Sequence, residues 1–205
     1  MRDRSAFMEE DTQAVIFDLG NVLLGYDWKP YLSSLGYVEE TTELLADAVF
    51  RSEDWERGDK GGITSQEWEQ LFVDNAPDYE AQIRRVYSGI EHTIFPLPYT
   101  DRLVRFLKSQ GLKLYYLSNY SEHLHQKTRQ YMGFLEEFDG GIFSYEVRCI
   151  KPEEKIYRLL LEKYDIVPER AVFFDDRQVN TEAASRLGIR SVVFEPDMAY
   201  HILDR

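Results

Sequence analysis

The sequence is almost without cysteine. Cys149 is the only one in 205 residues, so an internal disulfide and a cysteine metal cluster within the chain are both excluded. Nothing here needs an oxidising compartment. Long apolar runs are missing as well. The longest, Ala14 to Leu24, is interrupted by Asp18 and Asn21 and is too short to span a bilayer. Met1 to Asp11 is charged and has no apolar signal core, which makes a cytoplasmic location the expectation. Positive charge is scarce: 24 Lys and Arg stand against 37 Asp and Glu, a formal net charge of -13. So acidic a surface repels nucleic-acid phosphates and anionic membranes over a Debye length, and neither is expected as a partner. Small phosphorylated compounds are not excluded, because a bound cation inverts the local potential. There is no internal repeat and no low-complexity tract.

What is present reads as an ordinary globule. Apolar residues make up 43% and aromatics 14%, too much for a disordered chain. The length suits one domain, or one domain carrying an insert. Val15-Ile16-Phe17 is a short apolar run without alternation, the pattern of a strand buried on both faces. Leu112 to Leu117, Ala171 to Phe174 and Ser191 to Phe194 repeat it. Helical patterns lie between them. Asp101 to Gln110 stops at Gly111, Glu153 to Tyr164 follows Pro152, and Asn180 to Leu187 stops at Gly188. Such alternation predicts a parallel sheet with helices on both faces.

The stretch from Tyr26 to Phe95 differs, having no clear buried strand. Tyr31 to Leu35, Thr42 to Phe50, Ser65 to Phe72 and Tyr79 to Tyr87 read as amphipathic helices. Thr64-Ser65-Gln66-Glu67 offers a capping-box start to the third, with Thr64 or Ser65 as N-cap. Gly58-Asp59-Lys60-Gly61-Gly62 reads as a loop, and Phe95-Pro96-Leu97-Pro98 as a breaker and hinge. The expected division is a Rossmann-like core, 12–25 and 96–205, with an α-helical cap at 26–95 inserted after the first strand.

Polar residues with chemical potential recur where candidate strands end, the place where an open parallel sheet presents its ligand crevice. Asp18 follows the first strand and Ser118-Asn119 the second. Lys151-Pro152 comes after a loop beyond Phe143, and Asp175-Asp176 follows Ala171 to Phe174. A carboxylate can attack phosphorus and form an aspartyl-phosphate. Magnesium screens the substrate's charge, using carboxylate and backbone carbonyl oxygens as ligands. Ser118 and Asn119 can donate to phosphoryl oxygens, and Lys151 can neutralise charge in flight. Taken singly, each is more often turn or capping chemistry. The ordered set is what carries information.

Phe17-Asp18-Leu19-Gly20-Asn21-Val22, Leu117-Ser118-Asn119, Lys151-Pro152 and Phe173-Phe174-Asp175-Asp176 resemble, in order, the four motifs of the haloacid dehalogenase superfamily. The likeness runs from about Ala14 to Phe194. Trp55-Glu56-Arg57-Gly58 with Ile63-Thr64 is similar to a recurrent segment of that family's helical caps. The first motif is similar to that of bacterial sugar-phosphate phosphatases, including those acting on glucose 1-phosphate. The resemblance implies Asp18 as nucleophile and magnesium ligand, with the Gly20 carbonyl as a second ligand. It implies Ser118 and Asn119 as phosphate contacts, Lys151 as charge stabiliser and further substrate contact, Asp176 as direct acidic ligand and Asp175 as a water-mediated one. The implied activity is magnesium-dependent hydrolysis of a small phosphorylated metabolite such as a sugar phosphate. Two alternatives stand beside it: a 2-haloacid dehalogenase, and a weakly catalytic protein that binds phosphorylated ligands.

One position departs from the pattern. Most phosphatases of this superfamily carry a second aspartate two residues after the nucleophile, which protonates the leaving group and later activates water. Here that residue is Gly20, which cannot transfer a proton. A carboxylate from the hinge or cap can substitute, Asp27 being the nearest in sequence; substrate or water can supply the proton; or the protein binds more than it turns over. Asp27 reads more readily as a structural hinge residue. His123 and His125, two apart, point in different directions on a helix and make a poor metal pair. His92 reads as an ordinary surface histidine. Tyr26, Trp28 and Tyr31 read as cap packing.

Overall fold

The computed structural model of the chain describes residues 11–204. Met1 to Glu10, on which the reading of a charged, signal-free start rests, lie outside the described residues. No helix among the described residues is long and apolar enough to cross a membrane. Along the chain, β1 (Ala14–Phe17) and β2 (Leu24–Tyr26) precede five helices: α1 (Trp28–Ser34), α2 (Glu39–Ala48), α3 (Asp54–Lys60), α4 (Ser65–Asn75) and α5 (Glu80–Ser88). There follow β3 (Ile94–Pro96), α6 (Thr100–Ser109), β4 (Lys113–Ser118), α7 (Glu122–Thr128), β5 (Gly140–Phe143) and α8 (Ser144–Val147). The remainder is α9 (Glu154–Lys163), β6 (Ala171–Asp175), α10 (Gln178–Ser185), β7 (Arg190–Val193) and α11 (Pro196–Leu203).

The fold is α/β and Rossmann-like. Five strands form a parallel sheet in the order β5-β4-β1-β6-β7. Every residue of β1 is buried, and alternate side chains leave opposite faces. Val15 and Phe17 enter one apolar cluster, Ala14 and Ile16 the other. Ile156, Tyr157 and Leu160 of α9, with Ala183 and Ala184 of α10, cover the Ile16 face. Leu103, Val104 and Leu107 of α6, with Ala199 and Ile202 of α11, cover the Phe17 face. Phe17 also stacks on Phe174 at 5.4 Å between centroids, a contact worth roughly 0.5–1.5 kcal/mol beyond its buried area. Chain order reverses around β1, with β4 on one side and β6 on the other, so the crevice opens at their C-terminal ends.

The structure departs from the sequence expectation in three places. The first is β5, where Gly140-Gly141 gives little strand propensity. Tyr116 of β4 lies over that edge, and a Cβ on Gly141 would sit 2.3 Å from its ring, so the glycine makes room for the aromatic. The second is the junction at the insert. Leu24–Tyr26 pairs antiparallel with Ile94–Pro96, so a ribbon, not a simple hinge, joins the five helices to the sheet; Pro96 is tolerated because both strands are edges. The third is the glycine-rich segment. Gly58, Asp59 and Lys60 form the last turn of α3, and the loop begins only at Gly61.

Gly58 is a packing residue. A Cβ there would meet Trp68 Cε2 at 2.2 Å. Trp68 is fully buried, and its Nε1 donates to the Asp54 carbonyl at 2.8 Å, pinning the start of α3 to α4. Thr64 is the N-cap of α4 and forms a capping box with Glu67. Overpacking of this kind costs typically 1–3 kcal/mol. Gly58→Ala should therefore lower the urea-unfolding free energy by about that amount, with an unchanged denaturant slope.

Candidate active site

The crevice gathers the strand-end residues. Asp18 directly follows β1, and its backbone N–H donates to the Phe174 carbonyl at 2.9 Å, which fixes it beside β6. Its Oδ1 takes three donors: the Leu19 N–H at 2.7 Å, Ser118 Oγ at 2.8 Å and Lys151 Nζ at 2.9 Å. No hydrogen bond or ion pair from the described residues reaches Oδ2. One oxygen is thus held and the other is free for a ligand or an electrophile.

Lys151 is 1% exposed. Its ammonium lies 2.6 Å from Asp175 Oδ2 and 2.9 Å from Asp18 Oδ1. Burial acts to lower its pKa, but Asp175 and Asp18 outweigh burial and hold it above the ordinary value. The lysine is therefore charged. Its backbone is clasped by Asn119, whose Nδ2 donates to the Lys151 carbonyl at 2.9 Å while its Oδ1 accepts the Lys151 N–H at 2.7 Å. Both ends of the Asn119 amide are used in setting Lys151. The Lys151–Pro152 peptide is cis.

The two adjacent aspartates differ. Asp175 is fully buried and accepts from Lys151 Nζ, the Arg177 N–H at 2.9 Å and Asn180 Nδ2 at 2.9 Å. Asp176 is half-buried and accepts only from Asn21 Nδ2, at 3.1 Å, among the described residues. Asn21 sits at φ 56°, a left-handed conformation that asparagine tolerates, and its Oδ1 accepts the Tyr26 N–H at 3.1 Å. It thereby ties the loop after the nucleophile to the second acidic arm. Gly20 lies in that loop and bridges to Leu24.

Asp18, Asp175 and Asp176 each present a carboxylate oxygen within 4.8 Å of the others. Three carboxylates around one ammonium leave an excess of negative charge. Burial pushes the Asp18 pKa up to about 7; Lys151 opposes the rise, while Asp175 and Asp176 add to it. Burial also raises Asp176, against the hydrogen bond from Asn21. A hard divalent cation held by oxygen ligands fits both the donor set and the uncompensated charge.

The other singled-out side chains lie elsewhere. Asp27 is the N-cap of α1, its Oδ1 accepting the Lys29 N–H at 3.0 Å. His123 stacks on Tyr87 at 4.8 Å, and His125 packs on Phe143 at 4.2 Å with Nδ1 3.0 Å from the Tyr145 hydroxyl. The two rings diverge and neither joins the acidic group. His92 lies against Tyr31. Trp28 stacks on Phe50, and the Tyr31 hydroxyl donates to the Val86 carbonyl, so both pack the inserted helices. Asp59 lies in the glycine-rich segment whose composition predicts a loop. It is buried at 7% exposure within electrostatic reach of Asp18 and Lys151.

A haloacid dehalogenase-like hydrolase family matches residues 12–188. The chain belongs to that family. A phosphorylated carbohydrates phosphatase of Thermotoga maritima is 30% identical over 88% of this chain and 83% of its own length. A sesquiterpene phosphatase of Aspergillus oryzae is 25% identical over 86% of this chain and 87% of its own. Among solved structures, an enzyme of the same family from Bacteroides thetaiotaomicron, in complex with magnesium and inorganic phosphate, superposes with a TM-score of 0.66. It is 22% identical, with 90% and 94% of the two chains covered. Dehalogenases are structural neighbours as well.

The acidic site has a pH consequence. Burial, helped by Glu56 and Asp18 and opposed by Lys151 and Arg177, pushes the Asp59 pKa up to about 7, as burial does for Asp18. In the unfolded chain both ionise near the usual carboxylate value of about 4. Between those values the native state holds more protons than the unfolded state, so stability falls as pH rises. Metal-free protein should lose unfolding free energy from about pH 4 to about pH 7. Asp59→Asn should flatten that fall in denaturant titrations across the range.

Proposed function

We propose that the chain is a magnesium-dependent phosphatase of small phosphorylated metabolites, sugar phosphates among them, working through an aspartyl-phosphate on Asp18. The observation that carries this reading is the Asp18 carboxylate. It is buried, fixed through Oδ1 by Ser118 and Lys151, and left with a free Oδ2 beside two further aspartates. The named activities of the phosphatase relatives agree with it.

In this reading Asp18, Asp176 and the Gly20 carbonyl hold magnesium, with Asp175 behind them. Bound there, the ion supplies Lewis-acid screening of the phosphoryl oxygens. Asp18 attacks phosphorus. Ser118 and the charged Lys151 hold the phosphoryl oxygens and the charge that builds on them. Asp175 keeps Lys151 aimed, and Asn119 sets its backbone. Water then cleaves the acyl phosphate and frees Asp18.

The inserted helices select the substrate in this scheme. A cavity of about 270 Å³ lies where the end of α3 and the start of α4 face α7. Its walls include Gly58, Gly61, Thr64, Ser121, His123 and Gln126. The His123 Nε2 is buried and makes no hydrogen bond to the described residues. Asp18, Ser118, Lys151, Asp175 and Asp176 are not among its walls, so it is no seat for the transferred phosphoryl group.

Metal-free dehalogenation fits the charge less well. The excess acid around Lys151 repels the carboxylate of a haloacid. A purely binding role leaves the held and free oxygens of Asp18 without a purpose.

A panel of phosphorylated metabolites assayed for phosphate release tests the reading. Release should need magnesium and should fall to the no-enzyme blank in Asp18→Asn. Asp27→Ala should leave hydrolysis of an aryl phosphate within about twofold, while costing about 1 kcal/mol of stability through the lost α1 cap. Halide release from 2-chloropropionate without metal would refute the proposal.

A further inference from the structure

Gly20 leaves no proton-transfer group in the loop after the nucleophile, and the structure shows open space there. A Cβ built on Gly20 meets nothing within 4 Å. The acids grouped with the nucleophile are engaged, Asp175 with Lys151, Arg177 and Asn180 and Asp176 with Asn21, and Asp27 caps the start of α1. Asp59 is different. It is buried, yet no hydrogen bond or ion pair from the described residues reaches its carboxylate. The residue is buried as a whole, but its carboxylate oxygens are not among the side-chain atoms closed off without a partner, so water or a ligand can reach them.

The structure also fixes where that acid sits. Ser144 Oγ donates to the Asp59 backbone carbonyl and accepts the Tyr120 N–H at 2.9 Å. Tyr120 is two residues beyond Ser118. The neighbouring Lys60 pairs with Glu153 at 3.0 Å, two residues beyond Lys151. Gly61 approaches the Tyr145 backbone so closely that a Cβ would lie 2.6 Å from its carbonyl oxygen. The C-terminal turn of α3 is thus docked between the two core loops that carry Ser118 and Lys151. The side chain lies within electrostatic reach of Asp18 just after β1, Glu56 on α3, and Lys151 and Arg177 on the core, and the Tyr26 and Tyr120 hydroxyls lie within its reach.

We infer that Asp59, from the inserted helices, is the catalytic acid and base of the reaction, the task left open by Gly20. The inference rests on the phosphatase reading above. As Asp18 Oδ bonds to phosphorus and the phosphorus–oxygen bond to the leaving group breaks, protonated Asp59 gives its proton to the departing oxygen, which leaves as an alcohol. The resulting Asp59 carboxylate takes a proton from water as the water oxygen attacks the aspartyl-phosphate. Inorganic phosphate departs, Asp18 is freed, and Asp59 is again protonated. Its pKa near 7 suits a group that must be both acid and base at neutral pH.

The test compares 4-nitrophenyl phosphate, whose leaving group departs without help, with phenyl phosphate, whose leaving group needs a proton. General acid catalysis is worth about 10²–10⁴-fold. Asp59→Asn should lower kcat/KM, which reports formation of the aspartyl-phosphate and not its hydrolysis, by about 10²-fold or more for phenyl phosphate and by less than about tenfold for 4-nitrophenyl phosphate under the same magnesium. Equal losses on both, or no loss on either, would overturn the inference. The double variant Gly20→Asp/Asp59→Asn places an acid in the open space beside the nucleophile and should recover phenyl phosphate turnover tenfold or more. A double variant no faster than Asp59→Asn would assign Asp59 to packing alone. If the wild-type chain itself releases no more phosphate than Asp18→Asn, the phosphatase reading fails, which is separable from a failure of Asp59.

Discussion

Everything at the strand ends depends on one buried ammonium. Lys151 sits at 1% exposure between Asp18 and Asp175. Removing each of those ions from water costs several kcal/mol, so neither carboxylate could stay there charged without the lysine. The lysine cannot wander, because Asn119 holds its backbone at both amide groups and Asp175 holds its head. Asp175 is itself fixed by Arg177 and Asn180. The chain of restraint ends at Asp18, whose Oδ1 is the last acceptor in it. One lysine does not balance the carboxylates around it, and the surplus is what a divalent cation would answer.

The sheet makes this arrangement possible. A strand buried on both faces has nowhere to place a polar side chain except at its end, and β1, β4 and β6 end side by side. The register pairs Phe17 with both Tyr116 and Phe174, so the next residues along each strand, Asp18, Leu117-Ser118 and Asp175, reach the crevice together. The inserted helices share the apolar cluster on the Phe17 face of the sheet. They are joined to the sheet by the β2–β3 ribbon and docked at α3.

Much of this was legible in the sequence. Asp18, Ser118, Lys151 and Asp175-Asp176 could be found because each follows or lies beyond an apolar run whose burial is written in its composition. The helical insert was legible from its amphipathic periods. Other features had no such signature. Gly140-Gly141 reads as a turn until Tyr116 is laid across it. Asn119 was legible as a polar strand-end residue, but a sequence does not say that its amide would be used on the Lys151 backbone. The link from Asn21 to Asp176 depends on a left-handed backbone that only the folded loop reveals. Asp59 sat among three glycines and a lysine, a composition that argues for solvent. It is buried where its backbone carbonyl takes the Ser144 hydroxyl and its neighbour Lys60 pairs with Glu153, both far away in the chain.

Where the proton donor is built matters for how such an enzyme works. An acid at position 20 would belong to the core and be present whatever the inserted helices do. An acid at position 59 is beside Asp18 only while α3 is docked on Ser144 and Lys60 reaches Glu153. The contacts that close the crevice against water would then be the same contacts that bring the proton. Nucleophilic attack would be a property of the sheet, and leaving-group departure a property of the insert. Substrates too poorly held to seat α3 would meet a nucleophile without an acid, which turns cap docking into a filter on chemistry as well as on binding.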